Sequence, residues 1–380
     1  MFDKDPLFYN QYYMEYERIY TETPKTAIWD RIDILTTLNG VKKQLEIKSS
    51  KLNINLSEEL IVEKAKGVAF CIRSSRDLFN QSSSKNLTPS LTSLYYGTYN
   101  FLSALMIGDV TNNLTLENIE NFSKNGGHGI KSIYNSPTID LANDEFIYCC
   151  NNGFYKELLK NFGYEFENIV MLTNYKKIEG IPDPEIHKLI SLKDLLSRIP
   201  ELKNIYVEIF QEQPNYLNYF ATELYDKNKG NYSISISENQ NTHFLKAEQI
   251  NTILNLPEEY VFEYKKTNSA PYEQFYCDNL PDELINLNPK YNSPIANDCQ
   301  IKPLLGIDDM LLLYFKLFYI LSIWTRYRPN LWREVCEGKH DHYRSLFSIL
   351  TDVAERVIPN LFLDKFYGRR FLLASHSYWG

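Results

Sequence analysis

Met310 to Trp324 is a run of 15 residues interrupted by one charge, Lys316, and it restricts the fold more than any other stretch of the chain. A bilayer span needs about 20 apolar residues. A shorter run that carries a lysine fits a helix enclosed by protein on most sides. Such a helix needs partners all around it, hence a large core. The 380 residues can supply one: 44% are hydrophobic and 14% aromatic, with 29 Tyr and 21 Phe, far from the composition of a disordered chain. Forty Lys and Arg against 48 Asp and Glu leave a net charge of −8. That argues against a general phosphate-binding coat, though not against a local basic cleft.

The six cysteines at 71, 149, 150, 277, 299 and 336 contain no C-x-x-C pair, so spacing offers neither a zinc ribbon nor a redox pair; reduced, mostly buried thiols are expected. The first residues, Met1-Phe2-Asp3-Lys4-Asp5, have no basic stretch leading into an apolar one. A cytoplasmic protein without a secretory signal or a membrane span is therefore expected, with no cofactor.

Periodicity places helices at both ends and strands between them. The aromatic N-terminus (Tyr9, Tyr12, Tyr13, Tyr16, Tyr20) leads to a short helix near Ala27 to Leu35, then to a hairpin near 36–48 signalled by Asn39-Gly40. Ser57 caps a long helix with Ile61, Ala65, Val68, Ala69, Ile72 and Phe79 inward, and Thr88-Pro89 opens another with Leu91, Leu94, Tyr95, Thr98, Phe101, Leu102 and Leu105 inward. Ile169–Leu172, Ile205–Phe210, Tyr232–Ser237 and Tyr260–Lys265 read as strands, with a helix at Leu192 to Ile199. Asp308 or Asp309 opens the apolar helix, and a final stripe through Tyr343, Leu346, Phe347, Leu350, Val353 and Val357 stops before Pro359. The expected fold is mostly α with a small β-containing middle (α+β). Helical regions 1–165 and 301–380 share one core, and 166–300 is an inserted α+β region.

Ser93-Leu94-Tyr95-Tyr96-Gly97, Asn100 to Leu105, Gly127-His128-Gly129, and Leu311 to Tyr327 followed by Pro329 and Trp332 together resemble the YaaC-like proteins of bacteria. The resemblance covers about a third of the chain and implies a helical framework with a strand-rich middle; it does not itself imply an activity.

Several residue sets invite chemistry. Arg333 with His340 resembles the Arg-x(4–6)-His motif of HEPN ribonucleases, where arginine stabilises phosphate charge and histidine moves a proton; Arg370 with His376 is a second match. Asp33 with Glu46 and Lys48 resembles the PD-(D/E)-x-K nucleases, provided that Glu46 and Lys48 share one face of a strand; Glu263 with Lys265 matches equally. His128 among Gly126, Gly127 and Gly129 either contacts a phosphate through a tight turn or caps that turn. Tyr96 and Gly97 lie in the motif that carries the resemblance. Arg326 ends the apolar helix on one stripe with Tyr319 and Ser322, and needs a carboxylate, carbonyls or a bound anion. An ion pair is the ordinary answer there. His340 and His342 converge on a metal only in extended backbone, so no metal site is expected. The favoured reading is a binding or scaffold subunit with a protein partner or a second copy, in a stress or antiviral role. The alternatives are a metal-independent ribonuclease at Arg333 and His340, or a Mg²⁺-dependent DNA nuclease at Asp33, Glu46 and Lys48.

Overall fold

A computed structural model describes residues 16–82, 84–134, 140–218, 221–226, 231–239, 246–254, 256–265, 272–280, 290–296 and 298–374. In chain order, β1 (Tyr16–Tyr20) leads to α1 (Pro24–Asp33), α2 (Leu38–Lys51), α3 (Glu58–Gln81), α4 (Leu87–Gly108) and α5 (Leu116–Gly126). There follow β2 (Ile130–Tyr134), α6 (Leu141–Asp144), β3 (Glu145–Cys150), α7 (Phe154–Asn161), β4 (Val170–Met171), α8 (Asp183–Ile186), β5 (Ile190–Ser191) and α9 (Leu192–Leu196). Then come α10 (Lys203–Phe210), β6 (Tyr216–Asn218), β7 (Ala221–Asp226), β8 (Asn231–Asn239), α11 (Ala247–Leu254), β9 (Glu263–Lys265), β10 (Tyr272–Leu280), β11 (Lys290–Tyr291) and β12 (Cys299–Ile301). The chain closes with α12 (Met310–Tyr327), α13 (Pro329–Glu337), α14 (His342–Tyr367) and β13 (Arg370–Ala374).

The chain divides into two compact units, residues 1–195 with 305–380, and residues 196–304. Residues 166–195, read from the sequence as part of the middle region, pack with the helical unit, where β4 runs parallel to β3 and β5 antiparallel to it. The helices of the two chain ends do form one core. At its centre lies α4, packed on α3, α12 and α14. Phe101 stacks on Phe362 of α14 at 4.3 Å, and Tyr95 stacks on Phe315 of α12 at 5.3 Å. Phe315 also stacks on Tyr155 of α7 at 5.9 Å. Asp309 starts α12: Oδ1 accepts the amides of Leu311 and Leu312, and Oδ2 pairs with Lys365 of α14 at 2.6 Å. The chain ends meet in the parallel pair β1–β13.

In the other unit, β7-β8-β10-β9 form one sheet and β11-β12-β6 another. One face of α11 joins Leu217, Phe262, Phe275 and Cys277 in an apolar cluster through Ile250, Ile253 and Leu254.

Three sequence expectations are corrected. The hairpin near 36–48 is helix α2: Thr37 Oγ1 accepts Gly40 N at 3.1 Å as a cap, and Val41, Leu45 and Ser49 recur every four residues on the buried side. Gly40 is required there because a Cβ would fall 2.0 Å from the Ile34 carbonyl oxygen, so the Asn-Gly pair marks a crowded helix start. The expected strand Ile205–Phe210 is helix α10, where Tyr206 and Phe210, four residues apart, bring their rings to 4.6 Å. Pro359 does not stop α14, which continues to Tyr367 because Val357, Ile358, Phe362 and Leu363 are buried on both sides of it. Core packing there outweighs the roughly 3 kcal/mol that an interior proline costs. His376 and the aromatic residues before Tyr16 lie outside the described residues.

Gly97 has a packing role. A Cβ at this position would lie 2.7 Å from the Phe79 ring of α3, and that ring is itself held between Trp29 and Phe101 at 5.6 and 5.4 Å. Gly97→Ala is expected to lower stability in urea unfolding by about 1–3 kcal/mol through overpacking, although alanine is favoured over glycine in a helix by about 1 kcal/mol.

Candidate functional site

Two arginines leave the C-terminal end of α12, and their partners differ. Arg328 forms an ion pair with Glu145, a fully buried carboxylate on β3. The Trp324 indole N–H donates to the other oxygen of Glu145 at 3.3 Å, and the Arg328 guanidinium lies 3.9 Å over the Tyr134 ring. Arg326 binds only neutral acceptors: Nε donates to the Ser322 carbonyl at 3.0 Å, one terminal nitrogen to Ser322 Oγ at 3.1 Å, and the other to Tyr96 Oη at 3.0 Å. Among the described residues no carboxylate pairs with it. The ion pair expected for Arg326 therefore belongs to its neighbour two positions on.

The surroundings of Arg326 are aromatic and polar together. Tyr319 meets the Tyr95 ring edge-on at 5.6 Å, and Tyr96 does so at 4.9 Å. The His128 ring lies 5.4, 5.9 and 5.3 Å from Tyr95, Tyr96 and Tyr99. Burial, reinforced by the nearby Arg326 charge, lowers the His128 pKa, so the imidazole is neutral at pH 7. Burial raises the Tyr95, Tyr99 and Tyr319 phenols, which stay protonated. Among the described residues, the buried Tyr95 hydroxyl and His128 Nδ1 have no hydrogen-bond partner. Such groups cost about 1–3 kcal/mol each when left unmade. One guanidinium, phenolic O–H groups and a neutral imidazole make a donor-rich cluster with no negative charge of its own.

The glycines around His128 serve a different purpose from a phosphate cradle. Gly127 and Gly129 have φ of +64° and +74°, and a Cβ on Gly126 would lie 2.3 Å from the Gly153 nitrogen. Two loops pack backbone to backbone here, and the carbonyls of Gly127 and His128 accept the first amides of α7, from Phe154 and Tyr155, at 3.1 Å each. His128 thus caps a neighbouring helix with its main chain, and its ring is left to the tyrosine cluster.

Among the described residues, no hydrogen bond or ion pair joins Arg333 to His340, or Asp33, Glu46 and Lys48 to one another. Arg333 on α13 has a side chain 65% exposed and faces Glu334 at 3.6 Å. His340 is buried, its ring 6.5 Å from Tyr343, and burial lowers its pKa. No hydrogen bond joins the two. Glu46 and Lys48 lie on α2, where residues two apart point to nearly opposite sides. Glu46 faces Lys42 at 3.9 Å, whereas Lys48 turns inward, 3.8 Å over the Phe366 ring and 3.4 Å from the Gly108 carbonyl, with its pKa lowered to about 8 by burial. Asp33 pairs with Arg76. Glu263 and Lys265 are on β9. Among the described residues, no three His, Cys, Asp or Glu side chains gather to hold a metal, and no helix is long and apolar enough to cross a membrane.

Sequence reasoning missed Tyr99, Glu145 and Arg328. Glu145 carried a signal, since it follows Asp144 directly and opens the uncharged run Phe146 to Cys150, where a buried acid must be met by a cation.

The sequence profile described as YaaC-like protein matches residues 34–366, nearly the whole chain. No curated protein and no solved structure matches.

The Glu145–Arg328 pair sets a pH-dependent test. Burial keeps the Glu145 carboxyl above its ordinary value of 4.5 even with Arg328 beside it. A carboxyl raised in the folded state withdraws stability as pH climbs from its unfolded value through its folded one. Arg328→Met removes the attraction that opposes the rise. The variant is expected to lose about 3–5 kcal/mol near neutral pH, with a smaller deficit at about pH 4, where Glu145 carries a proton; urea unfolding at both pH values measures the difference.

Proposed function

This chain belongs to the YaaC-like protein family, and on that premise we propose that it acts as a binding subunit, taking an anionic group of its partner at Arg326. One observation carries the reading: a half-buried guanidinium with no carboxylate among the described residues, next to an Arg328 that has one. Desolvated charge is costly without compensation, and here the donors around Arg326 match an oxyanion. Tyr96 accepts from Arg326 and keeps its own O–H free to donate, the Tyr95 hydroxyl is unpaired, and His128 can gain a proton. A phosphate or carboxylate set against Arg326 would receive charge-assisted hydrogen bonds from groups already in place. The ribonuclease and DNA-nuclease readings have less support, because Arg333 is exposed while His340 is buried and no hydrogen bond joins them, and Glu46 and Lys48 diverge.

Sulfate is the suitable probe, since its charge is constant over pH 5–8. Calorimetric titration of the full chain is expected to give a saturable site that Arg326→Met weakens at least tenfold and Tyr96→Phe several-fold, while Arg333→Ala leaves it unchanged. A bound anion favours the imidazolium form of His128. Affinity is therefore expected to rise as pH falls through the lowered His128 pKa, and His128→Phe flattens that profile. Acetate and phosphate in place of sulfate separate carboxylate from phosphate ligands. Equal affinity in Arg326→Met and wild type overturns the reading, as does cleavage of labelled RNA in EDTA that Arg333→Ala abolishes.

A further inference from the structure

The unit formed by residues 196–304 contains a cavity of about 200 Å³, whose wall includes Gln213, Pro214, Asn215, Thr252, Ile253 and Lys302. Gln213 is 9% exposed, and among the described residues neither its amide nitrogen nor its amide oxygen has a hydrogen-bond partner. A second amide is in the same state. Gln300 on β12 is fully buried with both polar atoms unpaired. It registers opposite Leu217 of β6, and Leu217 belongs to the apolar cluster beneath α11, so Gln300 shares that sheet face. Lys302, two residues further on, lines the cavity. The two unpaired amide atoms of Gln213 in the cavity wall are unusual, since buried side-chain polar atoms are nearly always bonded.

We infer that this cavity binds a small, uncharged, planar molecule of nucleobase size, held by a hydrogen-bond donor and acceptor placed side by side on its edge. The Gln213 amide specifies the edge: a glutamine offers one N–H and one C=O in the spacing that pairs with an adenine-type edge through two bonds. Charge neutrality follows from the rim, where Glu248 and Lys302 carry opposite signs. The volume sets the size, below the roughly 300 Å³ at which sites for drug-sized ligands begin. Pro214 and Ile253 supply apolar wall against which a flat ring lies.

The test is calorimetric titration of the full chain with free adenine, with N-methylacetamide as the probe for a simple peptide-type amide. A saturable one-to-one adenine isotherm is expected, at least tenfold weaker in Gln213→Met, with the sulfate response of the Arg326 site retained. Without ligand, Gln213→Met is expected to keep or raise the urea midpoint, because it removes an unpaired amide. Saturation by N-methylacetamide alone overturns the nucleobase assignment. Absence of saturable binding by either probe overturns the site, as does a lowered urea midpoint in ligand-free Gln213→Met, which would mark the amide as already paired with ordered water.

Discussion

The crossing of α4 with α12 is the constraint on which the rest of the protein depends. Tyr95 stacks on Phe315, and Phe315 stacks in turn on Tyr155, so three distant segments share one aromatic column. Aromatic pairs of this kind add about 0.5–1.5 kcal/mol each beyond the area they bury. The approach of α4 to its other neighbours is made possible by its small residues. Gly97 admits the Phe79 ring, and its carbonyl accepts the Ser75 hydroxyl of α3 at 2.7 Å. Thr98 and Ser103 return their hydroxyls to carbonyls one turn back, at 2.7 and 2.9 Å, which satisfies them inside an apolar core. These hydroxyls of a helix buried on nearly all sides are closed locally, whereas that of Tyr95 on the same helix is not.

The same rule governs the buried charges. Lys64 is wholly buried, yet its ammonium donates to the carbonyls of Ile107 and Asp109 and to Asn112 Oδ1, at 2.9, 3.0 and 3.0 Å. Those oxygens close the C-terminal end of α4, where the helix dipole favours a cation. Desolvation still lowers the Lys64 pKa to about 8. Asp309 does the converse at the start of α12, accepting from two amides and pairing with Lys365. Glu145 has Arg328 and the Trp324 indole. Arg326 resembles Lys64 in being supplied with neutral acceptors, here hydroxyls and one carbonyl, and differs in this from Arg328.

Much of the helical core was legible in the sequence because its signals are local and strong. Asp309, Ser57 and the stripe through Tyr95, Phe101 and Leu102 declare themselves by capping and by periods of three and four residues. The errors share a physical origin. Asn39-Gly40 has the chemistry of a turn, but Thr37 caps a helix there and Gly40 answers to the crowding of Ile34. Pro359 has the chemistry of a stop, but packing on both sides carries α14 through it. Arg326 was recognisable as a residue in need of a partner, because it ends an apolar helix. Which of Arg326 and Arg328 receives the carboxylate was not legible, since Glu145 lies about 180 residues away on a strand.

That choice between two neighbouring arginines bears directly on chemistry. Arg326 lies in the last turn of α12 and Arg328 is its non-helical cap, and the β3 carboxylate pairs with Arg328. Glu145 faces the side of Arg328, and the side of Arg326 is left to α4 and to the loop that carries His128. Had the acid stood on that side, the tyrosine cluster would be an internal salt bridge with nothing to offer a ligand. Phenols can receive a hydrogen bond from the guanidinium and still donate onward, whereas a carboxylate would consume the charge. Their raised pKa values keep these protons in place, and the neutral His128 adds no second cation to repel Arg326 until a negative group arrives. On the proposed reading, selectivity for an anion rests less on Arg326 itself than on the neutral groups packed around it.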